Sequence, residues 1–174
     1  MVGAEKGGEQ VMSHFLGTHQ NKLDSKGRIS IPAPFRTALK AAATEQAGAG
    51  LVLRPSHNYP CIEAWPAAVF ETLASPLQSL EQFSEPQDDM ALFLYADATA
   101  MEPDREGRIV LPGALVQHAG LADQAVFMGL GRTFQIWEPE AAERRRTEAR
   151  ERASQRRMTL PGTPAPSAST AGTA

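Results

Sequence analysis

The chain has 174 residues and a formal net charge of −3, which suits one ordinary domain or two small ones and excludes the uniformly basic surface of a histone-like protein. Its one cysteine, Cys61, excludes an internal disulfide and a thiolate metal cluster. No apolar run approaches the roughly 18 residues of a membrane span, and no export segment is recognisable. These features predict a cytoplasmic protein and leave room for a local basic patch.

Both ends of the chain differ in composition from the middle. Residues 1–14 are rich in glycine and charge, and residues 159–174 consist almost entirely of small residues, Thr, Ser and Pro. Neither segment has enough apolar surface to offset the entropy lost on ordering. We therefore predict a disordered N-terminal extension over 1–14 and a disordered tail over 159–174, with Met12 as an alternative native start.

The middle of the chain contains an internal repeat. The segment Asp24–Pro32, with the sequence DSKGRISIP, recurs 80 residues later as Asp104–Pro112, with the sequence DREGRIVLP. Further on, Ile62–Trp65 corresponds to Phe134–Trp137. Two half-size units joined by a linker explain this repetition better than one continuous domain.

The first unit begins with a predicted β-hairpin. The pattern predicts a strand over 15–23, a tight turn over Asp24–Gly27 and a second strand over Ile29–Ile31. The aspartate caps the turn with its carboxylate, and the glycine supplies the positive φ that a Cβ penalises. We then expect a helix over 34–40. Two further strands follow at Leu51–Arg54 and Ile62–Trp65.

A linker, the second unit and a charged helix come next. Residues 69–80 and 90–95 have helical apolar spacing, which predicts a helical connection between the units. The second unit repeats the first, with strands over 109–111, 125–128 and 134–137 and a helix over 115–119. Residues 141–158 mix Arg and Glu without an apolar face. This pattern predicts a solvated helix with intrahelical ion pairs rather than a membrane segment.

The first turn lies in the most basic well-structured stretch of the chain. Between residues 22 and 40 five cations stand against one acid, namely Lys22, Lys26, Arg28, Arg36 and Lys40 against Asp24. Arginine pairs bidentately with guanine in the major groove and lysine contacts phosphate, whereas a solvated turn is the plain structural interpretation. Because a turn by itself needs only Asp and Gly, the recurrence of Arg in both units shifts the balance toward nucleic acid, and both interpretations stay open on these residues.

The two Asp-x-x-Gly-Arg turns, each followed by apolar residues and Pro, resemble the MraZ family of bacterial transcriptional regulators, as do Gln117–Leu121 and Phe134–Trp137. The resemblance runs from about Phe15 to Arg150. It implies a mainly β protein with short helices (α+β), in which two tandem AbrB-like swapped-hairpin units form one intertwined β-barrel per chain. The units are expected at 18–68 and 97–140, joined by a helical linker at 69–96.

The same resemblance implies a function and its partners. Protomers are expected to assemble into ring-like homo-oligomers. These rings are expected to bind direct repeats in double-stranded DNA upstream of the division and cell-wall gene cluster, and to regulate its transcription. The expected location is the cytoplasm, in association with the nucleoid.

Carried over residue by residue, the resemblance implies a DNA-binding role for one set of positions. The set is Lys22, Asp24, Lys26, Gly27, Arg28, Arg36 and Arg108. Within it, Arg28 is expected to read bases and Lys26 to contact the backbone. The second copy departs from the pattern because Glu106 replaces the lysine, and residues 102–108 sum to −1. Since a carboxylate at the tip repels phosphate, we expect weaker DNA contact there, and Arg108 alternatively packs in the barrel or meets another protomer.

Two other classes of function stay open. A swapped-hairpin oligomer whose main partner is another protein, like an antitoxin, predicts a disordered arm with apolar anchors, which residues 159–174 almost lack. An enzyme predicts a nucleophile, base or cofactor cradle, and no such motif is recognisable. The four histidines lack metal-ligand spacing. We therefore expect no enzymatic activity, cofactor, metal, small-molecule substrate or membrane partner, and we interpret Trp65 and Trp137 as packing anchors.

Overall fold

A computed structural model describes residues 14–158 of the chain. The predicted extension over 1–14, apart from His14, and the predicted tail over 159–174 lie outside the described residues. The strands are β1 (Thr18–Lys22), β2 (Arg28–Ser30), β3 (Leu51–Pro55), β4 (Cys61–Pro66), β5 (Thr99–Met101), β6 (Arg108–Val110), β7 (Gln124–Gly129) and β8 (Phe134–Trp137). The helices are α1 (Ala33–Ala42), α2 (Ala67–Glu71), α3 (Glu85–Tyr95), α4 (Gly113–His118) and α5 (Pro139–Gln155), with a 3-10 helix over Thr72–Ser79.

The strands form one large and one small antiparallel sheet. The large sheet has six strands in the order β1-β7-β8-β4-β3-β5, and the small one pairs β2 with β6. The expected α+β class is confirmed, but the described residues mix sheet and helix and more of them lie in helices than in strands, so the expectation of a mainly β protein is wrong. Within residues 14–158 the strand pairs leave β1 and β5 as the two edges of the large sheet, so a closed barrel stays a prediction.

The two repeats exchange strand partners. Strand β1 of the first repeat pairs with β7 of the second, and β2 pairs with β6. The predicted hairpin is therefore not a continuous ladder: β1 and β2 are joined at their turn by the single bridge between Leu23 and Ile29. Ile29 also lies opposite Ile109, and both side chains are buried. Strand β2 therefore pairs with the other repeat, where this apolar pair is buried, instead of extending the hairpin with β1.

One hydrophobic core contains side chains from both repeats. Helix α1 buries Phe35, Ala38 and Leu39 on one face, as its apolar spacing predicts. The Phe35 ring lies 5.3 Å from that of Phe15 and 5.1 Å from that of Phe134, measured between centroids. Full burial of such a side chain contributes about 1.5–3 kcal/mol, and these contacts join segments distant in sequence.

The two tryptophans pack on the outer side of the large sheet. Trp137 is buried and lies in a small cluster with Cys61 and Ala142. The ring of Trp65 makes an edge contact with Phe70 in α2, with centroids 6.5 Å apart. Both therefore act as packing anchors, as expected.

The predicted linker is helical in three pieces rather than two. Helix α2 is followed by the 3-10 helix, which contains Pro76, a residue that cannot donate the α-helical hydrogen bond. Helix α3 begins at Glu85, earlier than expected, because the Ser84 hydroxyl accepts a hydrogen bond from the main-chain N–H of Gln87 at 3.3 Å. This N-cap is a start signal that apolar spacing alone misses.

The charged C-terminal helix has the expected intrahelical ion pairs. Arg146 pairs with Glu143 at 3.0 Å and Arg152 with Glu148 at 3.5 Å. Residues up to Ala142 form one compact unit and those from Glu143 a second. Of the helices in the described part of the chain, none is long and apolar enough to cross a membrane.

Candidate nucleic-acid interface

The first repeat turn is built around the carboxylate of Asp24. Its Oδ1 accepts hydrogen bonds from the main-chain N–H groups of Lys26 and Arg28, each at 2.9 Å. The Asp24 carbonyl oxygen accepts from the N–H of Gly27 at 3.0 Å, and Gly27 has a φ of 78°. The turn therefore needs a short acceptor side chain at its start and glycine at its fourth position.

Arg28 is part of the same turn. Its Nε donates to Asp24 Oδ2 at 2.7 Å, and its side chain stays 49% exposed. The main-chain N–H and then the guanidinium of Arg28 hold the pKa of the Asp24 carboxyl below its ordinary value. The arginine therefore also braces the turn, which gives its presence a structural interpretation beside the nucleic-acid one.

The second repeat turn has the same main-chain geometry. Asp104 Oδ1 accepts from the N–H groups of Glu106 and Arg108, each at 2.9 Å, and Asp104 Oδ2 accepts from Arg108 Nε at 3.0 Å. The N–H of Arg108 is the main cause that lowers the pKa of Asp104. Hydrogen bonding to Asp104 in turn raises the pKa of Arg108. The recurrence of Arg thus has a structural cause as well.

The two turns differ at the outer end of the arginine. Glu106 lies 2.5 Å from Nη2 of Arg108, so this guanidinium contacts two carboxylates. In the first turn the corresponding residue is Lys26, which is exposed. Among residues 14–158, Asp24 is the one carboxylate that pairs with Arg28, and the terminal nitrogens Nη1 and Nη2 stay available at the surface.

Strand exchange brings the two turns onto one face. In the β2–β6 pair, Arg28 lies opposite Val110 and Ser30 opposite Arg108. These four residues alternate with the buried isoleucines, so both arginines lie on the outer face of the two-stranded sheet. Val110 is 58% exposed between them.

The turns also support each other through their glycines. The Gly27 carbonyl oxygen accepts from the N–H of Leu111 at 2.8 Å, and the Gly107 carbonyl oxygen accepts from the N–H of Ile31 at 2.9 Å. A Cβ at Gly27 would lie 2.9 Å from the carbonyl oxygen of Leu111. The close approach of the two repeats therefore excludes a side chain at this glycine.

The remaining candidate residues do not all lie together. Lys22 is exposed at the end of β1, opposite Gln124. Arg36 instead reaches the second turn, where a Cβ at Gly107 would overlap its Cδ. Its Nη1 donates to the Ile31 carbonyl oxygen at 3.0 Å, which holds the side chain there.

A cation that the sequence reasoning missed lies beside Arg36. Arg105 lines a cavity of about 510 Å³ together with Arg36, Lys40 and the second turn. Its position next to Asp104 in the repeat was the available signal. Elsewhere in residues 14–158 no three His, Cys, Asp or Glu side chains come together as a metal site.

The two repeats exchange strands, and each places one Asp–Arg turn on a shared face. These features define a tandem-repeat α+β protein with paired turns. The family described as "MraZ protein, putative antitoxin-like" matches residues 14–94 and again 94–160. The chain belongs to this MraZ family.

Relatives resemble the chain over most of its length. "Transcriptional regulator MraZ" of Gluconacetobacter diazotrophicus is 65% identical over 151 residues, which cover 86% of this chain and 93% of that protein. The protein of the same description from Gluconobacter oxydans is 59% identical over 143 residues, covering 82% and 86%. That from Azorhizobium caulinodans is 38% identical over 149 residues, covering 86% and 92%.

Proposed function

We propose that this chain is a sequence-specific transcriptional regulator that binds double-stranded DNA through its first turn. Arg28 reads base edges in the major groove, and Lys26 contacts a phosphate beside it. Family membership and relatives described as transcriptional regulators support regulation of transcription as the general activity. The first turn supplies the residues for the contact, and no enzymatic step is part of the proposal.

The observation that carries this proposal is the difference in pairing between the two arginines. The Nε of Arg28 is held by Asp24, which leaves the edge formed by Nη1 and Nη2 for a bidentate pair with guanine O6 and N7. In the second turn Glu106 takes Nη2 of Arg108. The first turn is therefore the better reader, and Asp24 is a positioning residue that orients Arg28.

The other predicted contacts take secondary roles. The exposed position of Lys22 suits a phosphate contact, which adds affinity without sequence preference. Gly27 contributes the turn geometry. The bond from Arg36 to the Ile31 carbonyl favours support of the second turn over DNA contact, and we propose that Arg108 acts within its own turn.

The proposed target and assembly follow the family. The strand exchange supports two intertwined AbrB-like swapped-hairpin units, and we propose that they form one β-barrel per chain. We infer that ring-like homo-oligomers bind direct repeats ahead of the division and cell-wall gene cluster, in the cytoplasm at the nucleoid. One turn per chain makes few contacts, so adjacent protomers on adjacent repeats gain affinity from a high effective concentration.

The proposal is tested with Arg28→Ala and its matched control Arg108→Ala, which removes the same side chain from the equivalent turn. Binding is measured across salt concentrations to duplexes that carry one or several of the chain's own upstream repeats, and to scrambled DNA. We expect Arg28→Ala to lose at least about tenfold in affinity and Arg108→Ala less than about threefold. Wild-type affinity is expected to rise steeply with repeat number.

Two results would contradict the proposal. Equal losses in the two variants would show that the turns do not differ as readers. Equal weak binding to repeat and scrambled DNA, unchanged by Arg28→Ala, would remove the DNA function and direct attention to a protein partner of antitoxin type. When binding depends on the repeats, the slope of affinity against salt concentration gives the number of phosphate contacts.

A further inference from the structure

The linker helix α3 presents an acidic surface. Residues 81–97 contain five acids and no base, and the acids are Glu81, Glu85, Asp88, Asp89 and Asp97. No lysine or arginine occurs in the sequence between Arg54 and Arg105. This part of the chain is therefore opposite in charge to the basic first turn, and a negative charge does not suit nucleic-acid binding.

The same surface exposes large apolar side chains. Leu92 is 63% exposed and Tyr95 43% exposed, and they line a shallow groove with Ala91 and Asp88. Phe83, just before the helix, is 90% exposed. Contiguous exposed apolar residues rimmed by charge are typical of protein interaction sites. The exposed side chains of Asp88, Asp89, Leu92 and Tyr95 thus form one mixed apolar and acidic face of the helix, which we call the α3 face.

The opposite side of α3 already has its partner. Leu94 is buried, and the Phe93 ring packs under the guanidinium carbon of Arg54, 4.4 Å from the ring centroid. Arg54 is itself buried on the large sheet and lies 3.2 Å from Glu63. The helix is anchored by this side, so the α3 face points away from the sheet that holds it.

The C-terminal part of α5 carries the charge opposite to that of the α3 face. Residues 143–157 contain seven arginines and three glutamates, a net charge of +4. Arg150 and Arg156 are exposed, as the polar face of a surface helix is expected to be. The first turn is the other basic region, but the proposed function directs it to DNA.

We propose that the α3 face of one copy binds the basic part of α5 of a second copy. Leu92 and Tyr95 supply apolar contact, and Asp88 and Asp89 pair with arginines such as Arg150. The two surfaces are different, so the contact is heterologous and repeats from copy to copy until a ring closes. This inference rests on the homo-oligomeric part of the proposed function and names its interface.

A charge exchange between full-length chains tests the contact. One variant carries Asp88→Arg and Asp89→Arg, and the other carries Arg150→Glu and Arg156→Glu. Analytical ultracentrifugation is expected to show each variant alone as smaller species than the wild type. An equimolar mixture is expected to restore the large species, because alternating the two chains pairs opposite charges at every interface.

A second pair of variants tests the apolar part. Leu92→Ser is expected to shift the assembly to smaller species, while Leu130→Ser, which removes a comparably exposed leucine outside α3, is expected to leave it unchanged. Circular dichroism confirms that each variant is folded. Recovery in the charge mixture together with the selective effect of Leu92→Ser supports the inference.

Three results would overturn the inference. They are a monomeric wild type, no recovery in the mixture, and equal effects of the two leucine variants. Failure of the proposed DNA function is distinguished by Arg28→Ala, which is expected to keep the large species in ultracentrifugation. Conversely, the Asp88 and Asp89 variant is expected to bind a single-repeat duplex as the wild-type protomer does.

Discussion

The two repeat turns have the same main-chain bonds and different outer surfaces. In both, an aspartate accepts two main-chain N–H bonds and the Nε–H of the arginine four residues later. They differ at the residue two positions after the aspartate, which is Lys26 in the first and Glu106 in the second. The shared residues therefore build the turn, and the residue that differs decides what the arginine offers to a partner.

The glycines of the two turns meet different neighbours. A Cβ at Gly27 would contact the carbonyl oxygen of Leu111, which is main chain, whereas one at Gly107 would contact the side chain of Arg36. A side chain can move aside at small cost, and a main-chain carbonyl cannot. The turns therefore differ in how tightly the opposite repeat holds them.

The largest effect is expected for Gly27→Ala. Both glycines have a φ near 77°, at 78° and 76°, where an L-residue costs about 1–2 kcal/mol. Gly27→Ala adds a main-chain clash, so we expect about 3 kcal/mol of lost stability, against about 1–2 kcal/mol for Gly107→Ala. Urea unfolding monitored by circular dichroism measures both. Equal losses would mean that the Arg36 side chain is as immobile as the Leu111 main chain.

A smaller effect is expected when the second turn is given the charge of the first. Glu106→Lys removes the carboxylate at Nη2 of Arg108 and adds a cation at the tip. Since an exposed ion pair contributes about 1 kcal/mol or less, we expect up to about fivefold tighter binding to repeat DNA and a steeper salt dependence.

The control for this change is Glu71→Lys, which makes the same charge change at the end of α2. It is expected to leave both the affinity for repeat DNA and the preference over scrambled DNA unchanged. Tighter binding in this control as well would attribute the gain to net charge rather than to the arginine of the second turn.

Much of the fold was predictable because it depends on local pattern. The repeat, helix α1 and every strand of the described residues except β5 follow from apolar spacing, glycine and proline, whereas the three-residue strand β5 was not predicted. The exchange of strand partners does not, because the Asp24 turn closes in the same way whether β2 pairs with β1 or with β6. That choice is made by Ile109, 80 residues from Ile29, through burial in a shared core.

The candidate site was predictable in its residue types but less so in its contacts. Charge pointed to Lys26 and Arg28, and the structure places both at the exposed first turn. Arg36 is close to that turn in sequence, yet its long side chain reaches the other repeat. Sequence distance cannot show this, because the repeats approach each other only after strand exchange.

The smallest expected effect concerns the pKa values of the two aspartates, which are lowered from an ordinary 3.8. A carboxyl with a lowered folded-state pKa stabilises the fold above about pH 3.8, and this contribution is lost as the pH falls through the folded-state value. In Arg28→Ala the main-chain N–H groups remain, so the Asp24 pKa is expected to rise only part of the way.

Arg108→Ala is expected to raise the pKa of Asp104 by less. In the wild type the Arg108 Nε lies 3.0 Å from the Asp104 carboxylate, whereas the Arg28 Nε lies 2.7 Å from that of Asp24. The Arg108 guanidinium also contacts Glu106. Carbon-13 NMR titration of the side-chain carboxyls measures both values. A complete return of Asp24 to 3.8 in Arg28→Ala would show that the guanidinium, rather than the main chain, governs the charge of the first turn, and the two turns would then differ in construction as well as in surface.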